Sequence, residues 1–307
     1  HMNEYLIVND EVRDAVKSGL PVVAFETSIL THGLPQPHNV NLSKEVRAIA
    51  RSKGVVPATT AVIDGKLRVG LTEEEIEFLG TGPGVAKASY RDLGVLLATG
   101  GSGGTTVASS IVLAEMAGIR IFVTGGIGGV HRGAETTFDI SADLLMMSKA
   151  DVATVCAGMK SILDIGLTME VLETLGIPVI GYDTHILPGF HIRRTAHKVL
   201  YTAEDPEDVV RFMVSKWDAG IKGGFLLAVP VPEEDEVDSG LLRDAINRAV
   251  CEAGEKGIKS KDVTPYILSR LGELTRGATL KANLSLVRNN TCVGCDIAKC
   301  YSRLRKE

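Results

Sequence analysis

VATVCAGMKSILDIGLTMEVLETLGIPVIGY, residues 152–182, sets the architecture of this 307-residue chain. Val152–Cys156 is an apolar run of strand length, and Pro178–Tyr182 is another. Between them, Ser161–Leu175 carries apolar residues at helical spacing and stops at Gly176. A strand, a helix and a second buried strand make the unit from which parallel sheets are built. Lys160 falls where the first strand gives way to the helix, at the carboxyl end where α/β proteins place their chemistry. Burial there disfavours the ammonium, and a neutral amine attacks an aldehyde to form an imine. A lysine that merely snorkels from a strand end would have the same spacing.

The same alternation extends in both directions. Val22–Phe25, Thr59–Val62, Leu67–Val69, Val95–Ala98, Ile119–Thr124 and Phe225–Val229 read as strands, with Asp64-Gly65 as a hairpin turn. Thr72 caps a helix that opens with Glu73, Glu74 and Glu75. Thr105–Met116 reads as a helix stopped by Gly118, and Asp205-Pro206 begins one that runs to about Ala219. From Gly240 onward the pattern is mostly helical, after a surface loop at Glu233–Asp238. These elements predict an α/β/α sandwich with a largely parallel central sheet, formed as one domain over residues 1–307. His1-Met2 reads as an expression remnant, and no secretory signal pattern opens the chain.

Composition narrows the function. The chain is 45% hydrophobic and 23% charged, with a net charge of -5, as expected of a globular protein with a large core. No basic block is present to neutralise a nucleic-acid polymer, and no apolar run is long enough to span a bilayer. Five cysteines, an odd number, predict reduced thiols and a cytoplasmic setting. Cys292-x-x-Cys295 lacks the further ligands that zinc requires.

Two glycine-rich segments follow predicted strands. In Gly100-Gly101-Ser102-Gly103-Gly104-Thr105-Thr106-Val107, amides and hydroxyls at a helix start can hold a phosphate, or the segment is only a tight connection. It has neither P-loop nor dinucleotide-fingerprint spacing. Residues 125–133 hold five glycines in nine positions, an entropic cost that marks close approach of backbone to a ligand or to other backbone. His131 and Arg132 end that run, where they can meet an anion. Asp139, Ser141 and Asp143 offer hard oxygen donors suited to Mg²⁺ or Mn²⁺, or else a helix cap beside a surface acid. Glu26 ends the first buried strand, where a partly desolvated carboxylate can move protons. Lys87 on its own reads as a solvated lysine.

The segments PVVAFETSILTHGLPQP, VPATTAVIDGKLRVGLTEEEIEFL, TTVASS, VTGGIGGVHRGAETTFDISADL, VCAGMKSILDIGLTMEVLETLGIPVIGY, TPYILSRLGELT and LKANLSLVRNN occur in this order. Together they resemble the pseudouridine-5′-phosphate glycosidase family over about nine-tenths of the chain. That family cleaves and reversibly forms the C–C bond between uracil and ribose 5-phosphate. A C-glycoside has no leaving heteroatom to protonate, so paired-carboxylate glycosidase chemistry does not serve. The resemblance implies that Lys160 forms an imine with the sugar and that Glu26, with Asp143, moves protons. It implies that Lys87, Thr106, Val107, Ser141, Ala142 and Asp143 contact the sugar phosphate, that His131 lies in the pocket, and that Asn283 reads the base. It further implies Mn²⁺, or Mg²⁺, anchored at Asp139 largely through water, and a homotrimer.

Three places depart from the usual family pattern. Phe25-Glu26-Thr27-Ser28 stands for Leu-Glu-Ser-Thr, and Gly101-Ser102-Gly103-Gly104 for Lys-Asn-Gly-Ala. Pro188-Gly189-Phe190-His191 stands for Pro-Ala-Phe-Phe. The changes flank residues kept for the sugar, which directs attention to the base partner. Alternative readings are a C-nucleoside synthase that joins ribose 5-phosphate to another carbon nucleophile, and a non-catalytic sugar-phosphate binding protein.

Overall fold

The computed structural model describes residues 3–259 and 262–305, so His1-Met2 lies outside the described residues. Among the described residues, eleven strands follow one another: β1 Leu6–Val8, β2 Val22–Phe25, β3 Val56–Ile63, β4 Lys66–Val69, β5 Ala86–Ala88 and β6 Gly103–Thr105. The remainder are β7 Ile121–Val123, β8 Ala153–Cys156, β9 Val179–Tyr182, β10 Tyr201–Ala203 and β11 Phe225–Ala228. They lie in the order β1-β4-β3-β2-β7-β8-β11-β9-β10, with β6 paired to β3 and β5 to β6. From β3 through β2, β7, β8 and β11 to β9 and β10 every pairing is parallel. The antiparallel pairs are β3–β4, joined by the predicted turn at Asp64-Gly65, and β3–β6. Both turn residues have positive φ, as that turn requires.

Central strands of such a sheet are covered on both faces, and alternate side chains serve the two sides. In β2, Val22 and Ala24 join one core while Val23 and Phe25 join the other. In β11, Leu226 and Ala228 separate from Phe225 and Leu227 in the same way. Helices Val107–Met116, Ala142–Lys149 and Ile165–Thr174 pack over the first face. Helices His38–Ser52, Pro206–Asp218 and Ala278–Leu304 cover the second. The α/β/α sandwich with a largely parallel sheet is thus observed. Among the described residues, no helix is long and apolar enough to cross a membrane.

Three predicted elements need correction, the first being the helix predicted over Ser161–Leu175, which begins only at Ile165 with Asp164 as its cap. Val95–Ala98 is not a strand but the middle of helix Tyr90–Thr99. Ser89 and Asp92 form a capping box at its start, and Gly100 closes it in the left-handed conformation. Val95 is exposed there, so its four-residue apolar run does not mark a buried strand. The helix predicted from Thr105 begins at Val107, because Thr105 belongs to β6 and Thr106 is the cap. The first glycine-rich segment therefore holds a short strand, Gly103–Thr105, between one helix end and the next helix start. A Cβ on Gly104 would run into the Thr31 side chain and stand 2.8 Å from the Thr27 carbonyl oxygen, which explains the glycine by close packing. The acidic loop predicted at Glu233–Asp238 is mostly exposed, although Val237 is buried and Asp235 pairs with Lys281 at 2.8 Å.

Candidate active site

Three neighbouring parallel strands, β2, β7 and β8, deliver the central groups at their carboxyl ends. Glu26 follows β2, Thr124 follows β7, and Lys160 lies four residues beyond β8. The Glu26 carboxylate accepts hydrogen bonds from the hydroxyls of Ser28 and Thr124, one on each oxygen. Its own strand is tied to the next by Thr27, whose hydroxyl donates to the Thr60 carbonyl at 2.7 Å. Asn290, fully buried on the last helix, donates to the Thr124 and Gly125 carbonyls at 2.9 and 3.2 Å. That amide fixes the point where the sheet opens into the second glycine-rich run.

The run itself is shaped by what lies against it. A Cβ on Gly126 would stand 2.6 Å from the Phe190 ring, one on Gly128 2.8 Å from an Asp143 oxygen, and one on Gly129 2.6 Å from the Thr168 hydroxyl. The backbone from Gly125 to Ile127 pairs with the lysine segment. The Ala157 amide donates to Gly125 at 2.8 Å and the Lys160 amide to Ile127 at 3.0 Å. These bonds aim Lys160 into a cleft lined among others by Glu26, Lys87, Phe190, Leu268 and Asn283.

Lys87 reaches the cleft from β5, at the position paired with Gly104. Burial pushes its pKa down to about 8, and the Lys160 charge pushes the same way against Asp143 and Glu26. Asn283 is buried on the first turns of the last helix, and its side-chain oxygen has no hydrogen-bond partner among the described residues. Thus Glu26, Lys87, Lys160 and Asn283, read separately in the sequence, line a single cavity.

The remaining predicted residues stand beside that cavity rather than in its lining. Asp143 is buried, and its oxygens accept from the Ala108 amide at 2.9 Å and the Gly128 amide at 2.7 Å. It joins the start of helix Val107–Met116 to the glycine-rich run. Ser141 caps the helix that begins at Ala142, accepting from the Asp143 amide at 3.1 Å. Thr106 and Val107 begin the neighbouring helix, with the Thr106 hydroxyl 3.2 Å from that of Ser109. The His131 amide donates to the Asp139 carbonyl at 3.0 Å. Burial holds the imidazole below its ordinary pKa, with Lys160 and Lys87 acting the same way and Asp139 opposing. Arg132 turns outward to Asn247 at 3.3 Å and does not join the cleft. Cys292 and Cys295 share the last helix, and all five cysteines carry free thiols.

Several lining residues had no assigned role in the sequence reading: Ser28, Ile29, His32, Thr264, Pro265 and Leu268. All six lie in segments quoted for the family resemblance, but nothing local in their chemistry distinguishes them. Ile29 and His32 belong to a π-helical turn, Ile29–Gly33, a rare local form that recurs at functional sites.

An amine, a carboxylate held by two hydroxyls and a second lysine at the carboxyl edge of a parallel sheet define an α/β enzyme site. The family described as Indigoidine synthase A like protein matches residues 11–300. Pseudouridine-5′-phosphate glycosidases are similar along the whole chain. The one from Alkaliphilus metalliredigens is 48% identical over 304 residues, 99% of each chain. That of Lysinibacillus sphaericus is 50% identical over 303 residues, covering 99% of this chain and 100% of its own. Among solved structures, the prealnumycin C-glycosynthase AlnA in complex with ribulose 5-phosphate superposes with a TM-score of 0.91 at 38% identity. An indigoidine synthase A-like protein from Thermotoga maritima gives 0.89 at 36%. Each match covers 99% of both chains. The chain belongs to the pseudouridine-5′-phosphate glycosidase family and is an enzyme of that C–C glycosidic lyase type.

Proposed function

We propose that this enzyme reversibly cleaves pseudouridine 5′-phosphate to uracil and ribose 5-phosphate through an imine on Lys160. The observation that carries this reading is the convergence of Lys160, Glu26 and Lys87 in one cleft. In the synthetic direction, the Lys160 amine adds to the open-chain aldehyde of the sugar and water leaves, giving an iminium at C1. Uracil C5 adds to that carbon and then loses its proton. The C4 hydroxyl replaces the amine at C1, which closes the ring and frees the lysine. Glu26 stands where protons move during ring opening and at the base. Iminium formation supplies the electron sink that a C-glycoside otherwise lacks. A mass-spectrometric assay with Mn²⁺, ribose 5-phosphate and uracil should yield pseudouridine 5′-phosphate. A complete absence of product would overturn the reading.

Lys87, Thr106, Val107 and the Ser141–Asp143 turn form the sugar-phosphate end of this proposal, with His131 beside them. Two helix starts meet there, the one at Val107 and the one at Ala142, and amides at helix starts favour anions. Asp143 spans that end through the Ala108 and Gly128 amides, beside any proton role shared with Glu26. The phosphate dianion binds the charged form of Lys87, whose pKa of about 8 makes that charge pH-sensitive. Ribose 5-phosphate affinity is therefore expected to fall by about tenfold per pH unit above about pH 8. Calorimetric titration between about pH 7 and pH 9.5 would reveal a flat profile if Lys87 had no such role.

Asp139 is the proposed anchor for Mn²⁺ or Mg²⁺. Among the described residues no three His, Cys, Asp or Glu side chains converge, so the donor set fits an ion retained largely by its own water. Such an ion would offset phosphate charge. Chelation is expected to lower turnover severalfold without moving the thermal unfolding midpoint; full activity after chelation would remove the metal from the proposal. A homotrimer and a cytoplasmic setting are carried with the same reading, the latter supported by the free thiols.

A second reading, coupling of ribose 5-phosphate to a different carbon nucleophile, is favoured by one observation. A further hollow adjoins the cleft across Asn283, Leu268 and Pro265, and is walled by His191, Leu34 and Leu280. Normal turnover with uracil decides for the first reading.

A further inference from the structure

Lys160 is followed by Ser161, which is buried, and the Ser161 hydroxyl lies 2.6 Å from Nδ1 of His191. His191 is itself 1% exposed. The contact closes a clamp that begins further up both segments. The Phe190 amide donates to the Ala157 carbonyl at 3.0 Å, ahead of the lysine. Gly158 has φ of +91° and lies against Pro188 so closely that a side chain could not fit. The Phe190 ring meets His191 edge-on at 4.5 Å and also lines the cleft. The far end of the clamp is held in turn, because the Val237 amide donates to the His191 carbonyl at 2.9 Å.

Backbone bonds thus hold the segment up to the Lys160 amide, while the Ser161–His191 bond holds it immediately beyond. A lysine has four rotatable side-chain bonds, so its amine finds the aldehyde only as reliably as its Cα is fixed. Burial pushes the His191 pKa down to about 3, so the ring is neutral at working pH and adds no charge beside the amine. A buried hydrogen bond between neutral groups is well suited to orientation, because its loss leaves a desolvated partner.

We propose that His191 is a positioning residue that, through Ser161, orients Lys160 for attack on the sugar aldehyde. This rests on the imine reading given above. The test measures the rate at which borohydride traps ribose 5-phosphate on Lys160, alongside ribose 5-phosphate affinity and thermal unfolding. His191→Phe, which keeps an aromatic ring in the same place, and Ser161→Ala are each expected to slow trapping by about tenfold with little change in affinity. The double variant should be no slower than either single one, since both remove the same bond. His191→Asn, which keeps a polar group near Nδ1, should recover part of the rate. Trapping at the parental rate in Ser161→Ala, or multiplied losses in the double variant, would overturn the proposal even if His191→Phe folds poorly. A parent protein that traps no sugar would instead sink the imine reading itself.

Discussion

Lys160→Ala is expected to lose turnover by at least about 10⁴-fold while the protein keeps its fold, because no other group can replace the electron sink that the imine provides. The cleft does hold a second amine, but Lys87 enters from β5, off the main path of the sheet, and not from the strand ends that carry Glu26 and Lys160. Product formation followed by mass spectrometry, with unfolding measured in parallel, checks the result. Near-parental turnover would remove the imine mechanism. The variant has a second signature. The Lys160 charge helps to depress Lys87, so its removal should raise the Lys87 pKa above about 8. The pH at which ribose 5-phosphate affinity begins to fall should move upward with it. Lys160→Arg keeps the charge but not the nucleophile, and should abolish turnover without that pH shift.

Glu26→Gln should reduce turnover by about 10²–10⁴-fold, the range associated with loss of a general acid–base group. The change is nearly isosteric. The hydroxyls of Ser28 and Thr124 can reorient, one donating to the amide oxygen and one accepting from its nitrogen. Stability and ribose 5-phosphate binding should therefore change little. What the variant lacks is the capacity to take up and return a proton. Steady-state rates at saturating substrates make the comparison, and retained turnover would assign the proton to Asp143. That outcome runs against the geometry, since both Asp143 oxygens already accept backbone amides.

The elements most legible in the sequence were those with a single unambiguous cue. Val22–Phe25 was read without error because all four residues are apolar and central. The helix from Pro206 announced itself by the Asp205 cap. Val95–Ala98 failed because a short apolar run has no period of its own, and the capping box at Ser89 was the stronger signal. Glycines gave a correct warning of crowding, but not its source. Around Gly128 the crowding comes from Ser141 and then Asp143, around Gly129 from Thr168, and at Gly104 from the Thr31 side chain ahead of the Thr27 carbonyl. Lys160 and Glu26 could be placed at strand ends from pattern alone. Their common cleft depended on β2, β7 and β8 being neighbours, which strand order decides and local sequence does not.

The cleft also has two walls of different origin. Glu26 and Lys160 project from loops at the ends of the central strands, where backbone hydrogen bonds and the buried Asn290 leave little freedom. Thr264, Pro265, Leu268 and Asn283 come from two late helices, Val263–Leu274 and Ala278–Leu304. Residues on the helical wall can be exchanged without disturbing a strand pairing, whereas the sheet wall tolerates little. A lineage of such proteins can accordingly inherit one sugar chemistry intact and acquire new acceptors by rewriting a single face.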